Sequence, residues 1–334
     1  MTDSAAAIPR LYLAPMKGVT DHVFRRVFAE HWSGLDVAVA PFISSRRDKK
    51  IKPAHVRDVL PENNPSLPVI PQILSNTAED FVTLANYFYD LGHGIVNWNL
   101  GCPFPTVVRK SRGAGLLPDT DRIGAFLEES LPRLQGRLSI KTRLGWDSPE
   151  ELWRLLPVFN RYPLAELIVH PRLGRQRYEG RVDLEAFARA AAEAVCPVVY
   201  NGDIRTANDF VVLSRRFPAV NRWMIGRGCL SAPFLPYLIK TGGDGDISNN
   251  LPKMKQFHDA LVAAYSVWLS GPAHVLNKMK GFWRYYGRSF LDCDKYLKKI
   301  LKAPGLRQYT EAVERFFATG ARLRPPAERN RFEK

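Results

Sequence analysis

Eight short apolar stretches recur along the first 240 residues, and helical segments lie between them. The apolar stretches are "LYLAPM", "DVAVAPF", "PVIPQIL", "GIVNWNL", "LSIKTRL", "AELIVH", "PVVYNG" and "RWMIG". The intervening segments have helical periodicity and helix-start residues, as in "SNTAEDFVTLANYFYD" and "RTANDFVVLSRRF". Strands that alternate with helices form a parallel sheet. Eight such units favour closure, so we predict an α/β fold, a (β/α)8 or TIM barrel, over residues 1–240.

The chain changes character after this predicted barrel. Residues 241–250, "TGGDGDISNN", have the composition of a linker. Residues 251–334 show helical periodicity and no strand pattern. Within them, apolar side chains at spacings of three and four residues mark one buried helix face: Leu276, Met279, Trp283 and Tyr286. We therefore predict a small all-α domain over residues 251–334.

Positive charge is concentrated in this last part of the chain. The whole sequence has 48 Lys and Arg against 33 Asp and Glu, a formal net charge of +15. Residues 251–334 hold 17 Lys and Arg and 7 Asp and Glu, which is +10 of that excess. Lys280, Arg284 and Arg288 fall on one helix face, which is either an ordinary solvated face or a phosphate-binding surface. The charge favours a polyanionic partner or an anionic lipid surface.

Several classes of protein are disfavoured by the composition. No apolar run approaches the roughly 20 residues that span a bilayer, and "MTDSAAAIPR" lacks the features of a secretion signal. We predict a cytoplasmic protein without a membrane partner. The four cysteines are far apart and form no CxxC pair, so we predict neither a disulfide framework nor a metal site: Cys102, Cys196, Cys229 and Cys293.

Polar side chains stand at or just after the ends of seven of the eight predicted strands. They are Met16 with Lys17, Gln72, Asn99 with Cys102, Lys141 with Arg143, His170 with Arg172, Asn201 with Asp203, and Arg227. Any one of them alone would be an ordinary loop residue. Because the carboxyl ends of barrel strands meet at one face, where such barrels carry their chemistry, the set together predicts a site there.

The last two strands end in glycine-containing turns, "NGDI" and "IGRG". Backbone N–H groups at such turns, with Arg227 beside them, could cradle a phosphate, as strands seven and eight of barrels often do. Lys141 lies in an apolar strand and needs a partner. It could form a Schiff base, bind a phosphate or stabilise a delocalised anion. His170 could be a neutral histidine of the core.

Read together, these stretches resemble the tRNA-dihydrouridine synthases, a family of flavin enzymes. The resemblance covers nearly the whole predicted barrel, in order: "LAPMKGVTD", "PQIL", "NLGCP", "GAGLL", "IKTRLGW", "VHPRLGRQRYEG", "NGDI" and "MIGRG". It implies an FMN-carrying (β/α)8 barrel that uses NADPH to reduce the C5=C6 bond of a tRNA uridine. It also implies a following helical domain that holds the tRNA. It implies no protein partner.

The resemblance assigns roles residue by residue. Residues implied to hold the flavin ring are Pro15, Met16, Lys17, Gln72 and Lys141, and those implied to hold its ribityl chain and phosphate are His170, Asn201, Gly202, Asp203, Gly226 and Arg227. Cys102 is implied to be the catalytic acid, with Asn99 and Arg143 near the uridine. The residues that we expect to grip the tRNA are Lys278, Lys280, Arg284 and Arg288, with Arg109 and Arg172 from loops.

Five residues depart from the family pattern. Asn97 stands where an acidic residue is expected, and Phe104 with Pro105 replaces a basic residue after "CP". Pro171 stands where glycine is usual and Cys229 where alanine is common. None of these changes removes an expected flavin contact or the thiol. They bear on which uridine is reached rather than on the class of reaction.

The position of Cys102 suits an acid. Hydride addition at C6 of uracil pushes charge towards C5 and O4, so a proton must reach C5. A thiol with a pKa of about 8.5 is protonated at neutral pH and is a stronger acid than serine. A nucleophilic cysteine would need a nearby base, and the local sequence shows none.

Two other functions fit parts of the sequence. One is an FMN barrel that acts on a small pyrimidine, similar to dihydroorotate dehydrogenase, which would not need the cationic helical domain. The other is a non-catalytic RNA-binding barrel. The sequence does not indicate which uridine is modified, whether NADPH or NADH is preferred, or the oligomeric state.

Overall fold

The computed structural model describes residues 8–46, 51–243 and 247–325. Its strands all run parallel and belong to one sheet. They are β1 (Arg10–Leu13), β2 (Val37–Val39), β3 (Ile43–Ser44), β4 (Val69–Ile70), β5 (Gln72–Leu74), β6 (Ile95–Leu100), β7 (Arg137–Gly145), β8 (Glu166–Leu173), β9 (Val198–Tyr200) and β10 (Arg222–Ile225). Each of the eight predicted stretches overlaps at least one of these strands. The third stretch contains two, and β3 directly follows the second.

The second and third strands of the barrel are each interrupted once, as β2 with β3 and as β4 with β5, and these pairs close the sheet. β1 pairs with β10 on one side and with β2 on the other. β2 pairs with β4, and its continuation β3 pairs with β5, which in turn pairs with β6. Pro71 separates β4 from β5 because it has no N–H group to give to the ladder. The predicted (β/α)8 barrel is thus confirmed, with its second and third strands each broken once.

The barrel is filled by side chains from its strands. A buried cluster inside it contains Tyr12, Val39, Ile168 and Met224, which come from β1, β2, β8 and β10. Outside the strands, the indole of Trp98 stacks on Phe126 of the surrounding helices at 3.9 Å between ring centroids. The described interior is therefore packed, and space for a ligand lies at one end.

Helices surround the barrel, as the alternating pattern predicts. They are α1 (His22–His31), α2 (Pro53–Val56), α3 (Ala78–Asp90), α4 (Pro105–Val108), α5 (Thr120–Ser130), α6 (Glu150–Phe159), α7 (Leu184–Glu193), α8 (Ala207–Arg216), α9 (Arg227–Ser231) and α10 (Leu235–Thr241). The second crossover has only α2 and two 3-10 turns in place of a long helix. Among the described residues, no helix is long and apolar enough to cross a membrane.

Four helices follow the barrel. They are α11 (Leu251–Trp268), α12 (Pro272–Tyr286), α13 (Asp294–Lys302) and α14 (Leu306–Thr319). The predicted stripe on α12 is buried, with Met279 and Tyr286 fully enclosed. Of the predicted linker, Thr241 ends α10, residues 244–246 lie outside the described part of the chain, and a 3-10 turn at Ile247–Asn250 leads into α11. The boundaries proposed for the two domains stay predictions.

The helical region and the barrel share one core. Phe257 of α11 packs against Phe24 and Phe28 of α1, with ring centroids 6.0 Å apart in both pairs, and against Trp32 at 6.2 Å. Burial of large aromatic side chains contributes on the order of 1.5–3 kcal/mol each. The contact between the two regions is therefore apolar and extensive, unlike that of two domains joined only by a linker.

Candidate active site

A cavity opens at the carboxyl ends of the barrel strands. It encloses about 1210 Å³ of space between atoms, including solvent at its mouth. Side chains from nearly every strand end reach it. Residues from the predicted set that line it are Pro15, Met16, Lys17, Gln72, Asn99, Cys102, Lys141, Arg143, His170, Asn201, Gly202, Asp203, Gly226 and Arg227. The structure thus gathers in one place the residues expected to bind the flavin, the catalytic acid and two of the uridine contacts.

One end of the cavity is built on Asp203. Its carboxylate accepts hydrogen bonds from Arg172 at 2.5 and 3.1 Å and from Arg227 at 2.7 Å, and Arg205 lies 3.6 Å away. Burial alone would raise the pKa of Asp203, but the arginines hold it below its usual value. One carboxylate faces three guanidinium groups, so this end of the cavity keeps an excess of positive charge suited to a phosphate.

The backbone at this end leaves no room for larger side chains. Asp203 has a φ of +41°, a left-handed conformation that Asp tolerates better than most residues. A Cβ at Gly202 would lie 2.9 Å from the Tyr200 hydroxyl, and one at Gly226 would lie 3.3 Å from Ala14. Both glycines line the cavity, so their backbone faces it without a side chain.

Lys141 faces the cavity from the middle of β7. No hydrogen bond or ion pair to its ammonium is found among the described residues. Burial, and then the charge of Arg143, lower its pKa to about 7. A lysine held in this way is a cation without a counterion, so a ligand group with negative charge would be stabilised beside it. The arginines around Asp203 are placed for a phosphate at the other end of the cavity, so a phosphate contact of Lys141 has less support. The lowered pKa of Lys141 is also compatible with a Schiff base, the third role open to it from sequence.

His170 is held in one tautomer. The Arg172 guanidinium lies 3.2 Å from its Nε2, and a guanidinium can only donate, so Nε2 is the acceptor and Nδ1 carries the proton. Burial, and then the charges of Arg143 and Lys141, lower the pKa of His170 well below its ordinary value. The ring is therefore a neutral hydrogen-bonding group on the cavity wall.

A row of buried amides connects Gln72 to the cysteine turn. The Asn99 Oδ1 accepts the backbone N–H groups of Gly101 and Cys102 at 3.1 and 2.9 Å, which leaves its Nδ2 to donate to Gln72 at 2.8 Å. Gln72 then donates from Nε2 to Asn97 at 2.7 Å, and Asn97 donates to Ser139 at 2.5 Å. Because the backbone groups can only donate, they fix the direction of every amide in the row.

This row accounts for the unusual residue at position 97. Asn97 is fully buried and uses its oxygen for Gln72 and its nitrogen for Ser139. The neutral amide of Asn97 therefore occupies the position where an acidic residue is expected, and both its oxygen and its nitrogen are hydrogen-bonded. Asn99 in turn is a residue that shapes the turn of Cys102 as well as a residue of the cavity wall.

Cys102 lies on the cavity wall and is only 8% exposed. Its carbonyl accepts the N–H of Ala114 at 3.1 Å, and a Cβ at Gly113, where φ is +57°, would lie 2.7 Å from that oxygen. Glycine in "GAGLL" is thus required for the loop to pass under the thiol. Burial raises the pKa of the Cys102 thiol, against the smaller opposing effects of Lys17, Arg143 and Lys141. The thiol is protonated at neutral pH.

Six residues predicted to contact substrate lie outside the cavity wall. Arg172 is buried behind it, where it donates to Asp203 and to the Gly180 carbonyl. Arg109, Arg284 and Arg288 are exposed at the surface. The ammonium groups of Lys278 and Lys280 are engaged within the protein, Lys280 by the Ala303 carbonyl at 2.6 Å.

Lys278 joins the helical region to the barrel. Its ammonium donates to the Gly18 carbonyl at 2.8 Å and to the Asp21 carboxylate. The same carboxylate accepts the Tyr265 hydroxyl of α11 at 2.8 Å and the N–H of Phe24 at 3.0 Å, which begins α1. We call this set the Asp21 latch. It holds α11, α12 and the turn after β1 together.

Sequence reasoning missed four aromatic residues on the cavity wall: Phe42, Phe104, Tyr178 and Tyr285. Phe104 and Tyr178 are 50% and 47% exposed, which is unusual for rings of this size. The ring of Tyr178 lies over two guanidinium groups, Arg143 at 5.3 Å and Arg227 at 5.7 Å. The signal for Tyr178 was its position inside the motif "VHPRLGRQRYEG", and Phe104 directly follows "NLGCP". Nothing in the sequence of α12 pointed to Tyr285.

Comparison with known proteins places this geometry in a family. The sequence model of the family "Dihydrouridine synthase (Dus)" matches residues 12–327, which is nearly the whole chain. The chain belongs to the dihydrouridine synthase family. The family resemblance drawn from the sequence motifs is confirmed, and so is the prediction that the chain is an enzyme, an oxidoreductase.

Curated relatives extend over most of the chain. A probable tRNA-dihydrouridine synthase of Rhodobacter capsulatus is 30% identical over 80% of this chain and 82% of its own length. A tRNA-dihydrouridine(16) synthase of Escherichia coli O157:H7 is 31% identical over 69% and 75%. A tRNA-dihydrouridine(16) synthase of Haemophilus ducreyi is 29% identical over 70% and 74%. These relatives are distant in sequence, and each is aligned over most of its length.

Solved structures agree on the fold. Morphinone reductase in complex with tetrahydroNAD superposes with a TM-score of 0.51 at 10% identity, over 70% of this chain and 86% of that chain. An old yellow enzyme homologue from Zymomonas mobilis gives 0.51 at 11%, over 70% and 89%. At this identity the likeness concerns the fold alone. Within the described residues, no group of three or more His, Cys, Asp and Glu side chains could hold a metal ion.

Proposed function

We propose that this protein reduces a uridine of tRNA to 5,6-dihydrouridine with NADPH, through bound FMN. The observation that carries the proposal is the pairing, in one cavity, of a protonated thiol with a lysine that has no counterion among the described residues. Membership of the dihydrouridine synthase family supports the reaction, and the curated relatives named as tRNA enzymes support the substrate. A cytoplasmic location is part of the proposal.

The residues of the cavity suit FMN. The positive end around Asp203, with the bare backbone at Gly202 and Gly226, would hold the phosphate, and Asn201 and His170 would hold the ribityl chain. Pro15, Met16, Lys17, Gln72 and Lys141 would surround the ring. When bound, a flavin supplies the hydride that it receives from NADPH and passes to C6 of uracil.

Lys141 supplies positive charge to the ring edge. Its ammonium faces the cavity and meets no carboxylate among the described residues, so its charge is available to a ligand that becomes more negative on reduction. A fixed cation beside developing charge lowers the barrier without having to reorganise. The lack of a carboxylate partner thus supports the role of an electrostatic stabiliser.

Cys102 gives its proton to C5. Burial keeps the thiol protonated before the reaction, and Asn99 holds the turn that carries it. After the proton leaves, Lys17, Arg143 and Lys141 stabilise the thiolate, since their charges already act to lower the pKa of Cys102. The surroundings of Cys102 thus keep the thiol protonated before the reaction and stabilise the thiolate after it.

The tRNA must present a base that has left its stack. A uridine in folded tRNA has to be extruded, which requires a few kcal/mol that phosphate contacts and aromatic stacking can offset. The net charge of +15, with +10 in residues 251–334, supplies the attraction. Arg284 on α12 and Arg288 in the 3-10 turn that follows it are exposed. We propose that these two arginines contact the phosphates.

The test is reduction of unmodified tRNA by the purified protein with NADPH. Cys102→Ala should keep bound flavin while dihydrouridine formation falls by about 10²–10⁴-fold, the usual contribution of a positioned acid. Cys196→Ala, a half-buried cysteine before β9 at the other end of the barrel, is the matched control and should retain activity.

The alternatives predict other results. A protein that reduces orotate and leaves tRNA unchanged would be a small-pyrimidine reductase, and one that purifies without a flavin spectrum would be a non-catalytic barrel. Full activity of Cys102→Ala on tRNA would show that the proton comes from another group.

A further inference from the structure

The helical region contributes a side chain to the cavity. Of the described residues from Leu251 onwards, Tyr285 alone lines it. Tyr285 is half-buried and belongs to α12, one residue before the end of that helix. No hydrogen bond to its hydroxyl and no stacked ring partner is found among the described residues. An aromatic ring and a free phenol thus face the space where substrate would enter.

The Asp21 latch explains how Tyr285 reaches the cavity. Lys278 and Tyr285 are seven residues apart, which is two helical turns, so they lie on the same side of α12. Lys278 fixes this side against Asp21 and against Gly18, in the turn after β1. Other residues of that turn, Met16, Lys17 and Val19, also line the cavity. Tyr285 is therefore placed by the contact that joins α12 to the barrel.

The surroundings of Tyr285 match a ribonucleotide. Phe104 and Tyr178 expose about half of their surface at the same cavity, and bases of unpaired nucleotides stack on such rings. The preceding residue, Arg284, is exposed and can approach a phosphate. A phenol can donate to a phosphate oxygen or exchange hydrogen bonds with a ribose hydroxyl.

We propose that Tyr285 contacts the tRNA nucleotide that enters the cavity, so that the helical region forms part of the active site as well as a docking surface. The inference rests on the proposed function. It makes Lys278 and Asp21 positioning residues, which act on tRNA by holding α12 in place. The ammonium of Lys278 is directed to the barrel rather than to a phosphate.

The test compares Tyr285→Ala and Tyr285→Phe with Tyr237→Ala. Tyr237 is a 51% exposed tyrosine of α10 that does not line the cavity, so it controls for loss of a surface ring. Tyr285→Ala should raise the Kd for unmodified tRNA or lower its rate of reduction by about 5–150-fold, as expected for one lost stacking contact. Tyr285→Phe should show a smaller loss, and Tyr237→Ala none.

Positioning by the latch is tested separately. Lys278→Met should lower tRNA reduction, and Lys278→Arg should restore most of it, because Arg can still pair with Asp21. If Tyr285→Ala behaves as Tyr237→Ala does, the inference is wrong. If the unaltered protein with bound flavin does not reduce tRNA, the proposed function itself is wrong. The flavin content of each variant shows whether that variant has folded.

Discussion

At the scale of single residues, the cavity controls charge through burial. Lys141 and Cys102 share a wall, and burial acts on both by favouring the neutral form. For the thiol this preserves the proton that the reaction needs. For the lysine it brings the pKa to about 7, so that the positive charge depends on what binds beside it.

This coupling predicts how pH acts on the bound flavin. Reduction makes the ring edge more negative and therefore raises the pKa of Lys141. Below about pH 7 Lys141 is already an ammonium before reduction, whereas above about pH 7 it takes up a proton when the flavin is reduced. Lys141→Met should lower the midpoint potential at pH 6. The difference from the unaltered protein should shrink by about 30 mV per pH unit above pH 7. Redox titration against a reference dye measures this, and a difference independent of pH would contradict it.

At the scale of elements, the order of strands and the location of the site could be predicted from the sequence, because each strand end carries its own polar signal. Lys141 and Asn201 needed no knowledge of packing to be placed on one face. The inward turn of Lys278 and the arrival of Tyr285 could not be predicted, since both depend on how α12 packs on the barrel. The direction of the amide row likewise depends on backbone groups of Gly101 and Cys102 that a sequence does not show.

The Asp21 latch predicts a large stability change from one carboxylate. Asp21→Ala removes the side-chain cap of α1, the pair with Lys278 and the bond from Tyr265. The free energy of unfolding should fall by about 2–4 kcal/mol, measured by denaturant titration. Glu185→Ala breaks the exposed pair with Arg216 and should change it by less than about 1 kcal/mol. Equal effects of the two substitutions would rule out the latch.

At the scale of the whole molecule, the excess of positive charge should appear in the salt dependence of tRNA binding. Arg284 is exposed on α12, whereas the Lys280 ammonium already donates to Ala303. Arg284→Gln should reduce the slope of log affinity against log salt by about 0.7–0.9, the value for one lost phosphate contact. Lys280→Gln, on the same helix, should leave the slope unchanged. If Lys280→Gln reduced the slope and Arg284→Gln did not, Lys280 rather than Arg284 would contact a phosphate.

Because α1 and α11 share a core, the barrel and the helical region depend on each other's side chains. Phe257 fits among Phe24, Phe28 and Trp32, and Asp21 serves both regions at once. A recombination that exchanged the carboxyl-terminal helices for those of another lineage would leave these side chains facing mismatched neighbours. Exchange of the whole helical region should therefore destabilise the barrel as well, whereas substitutions on the exposed surface of α12 leave this core intact.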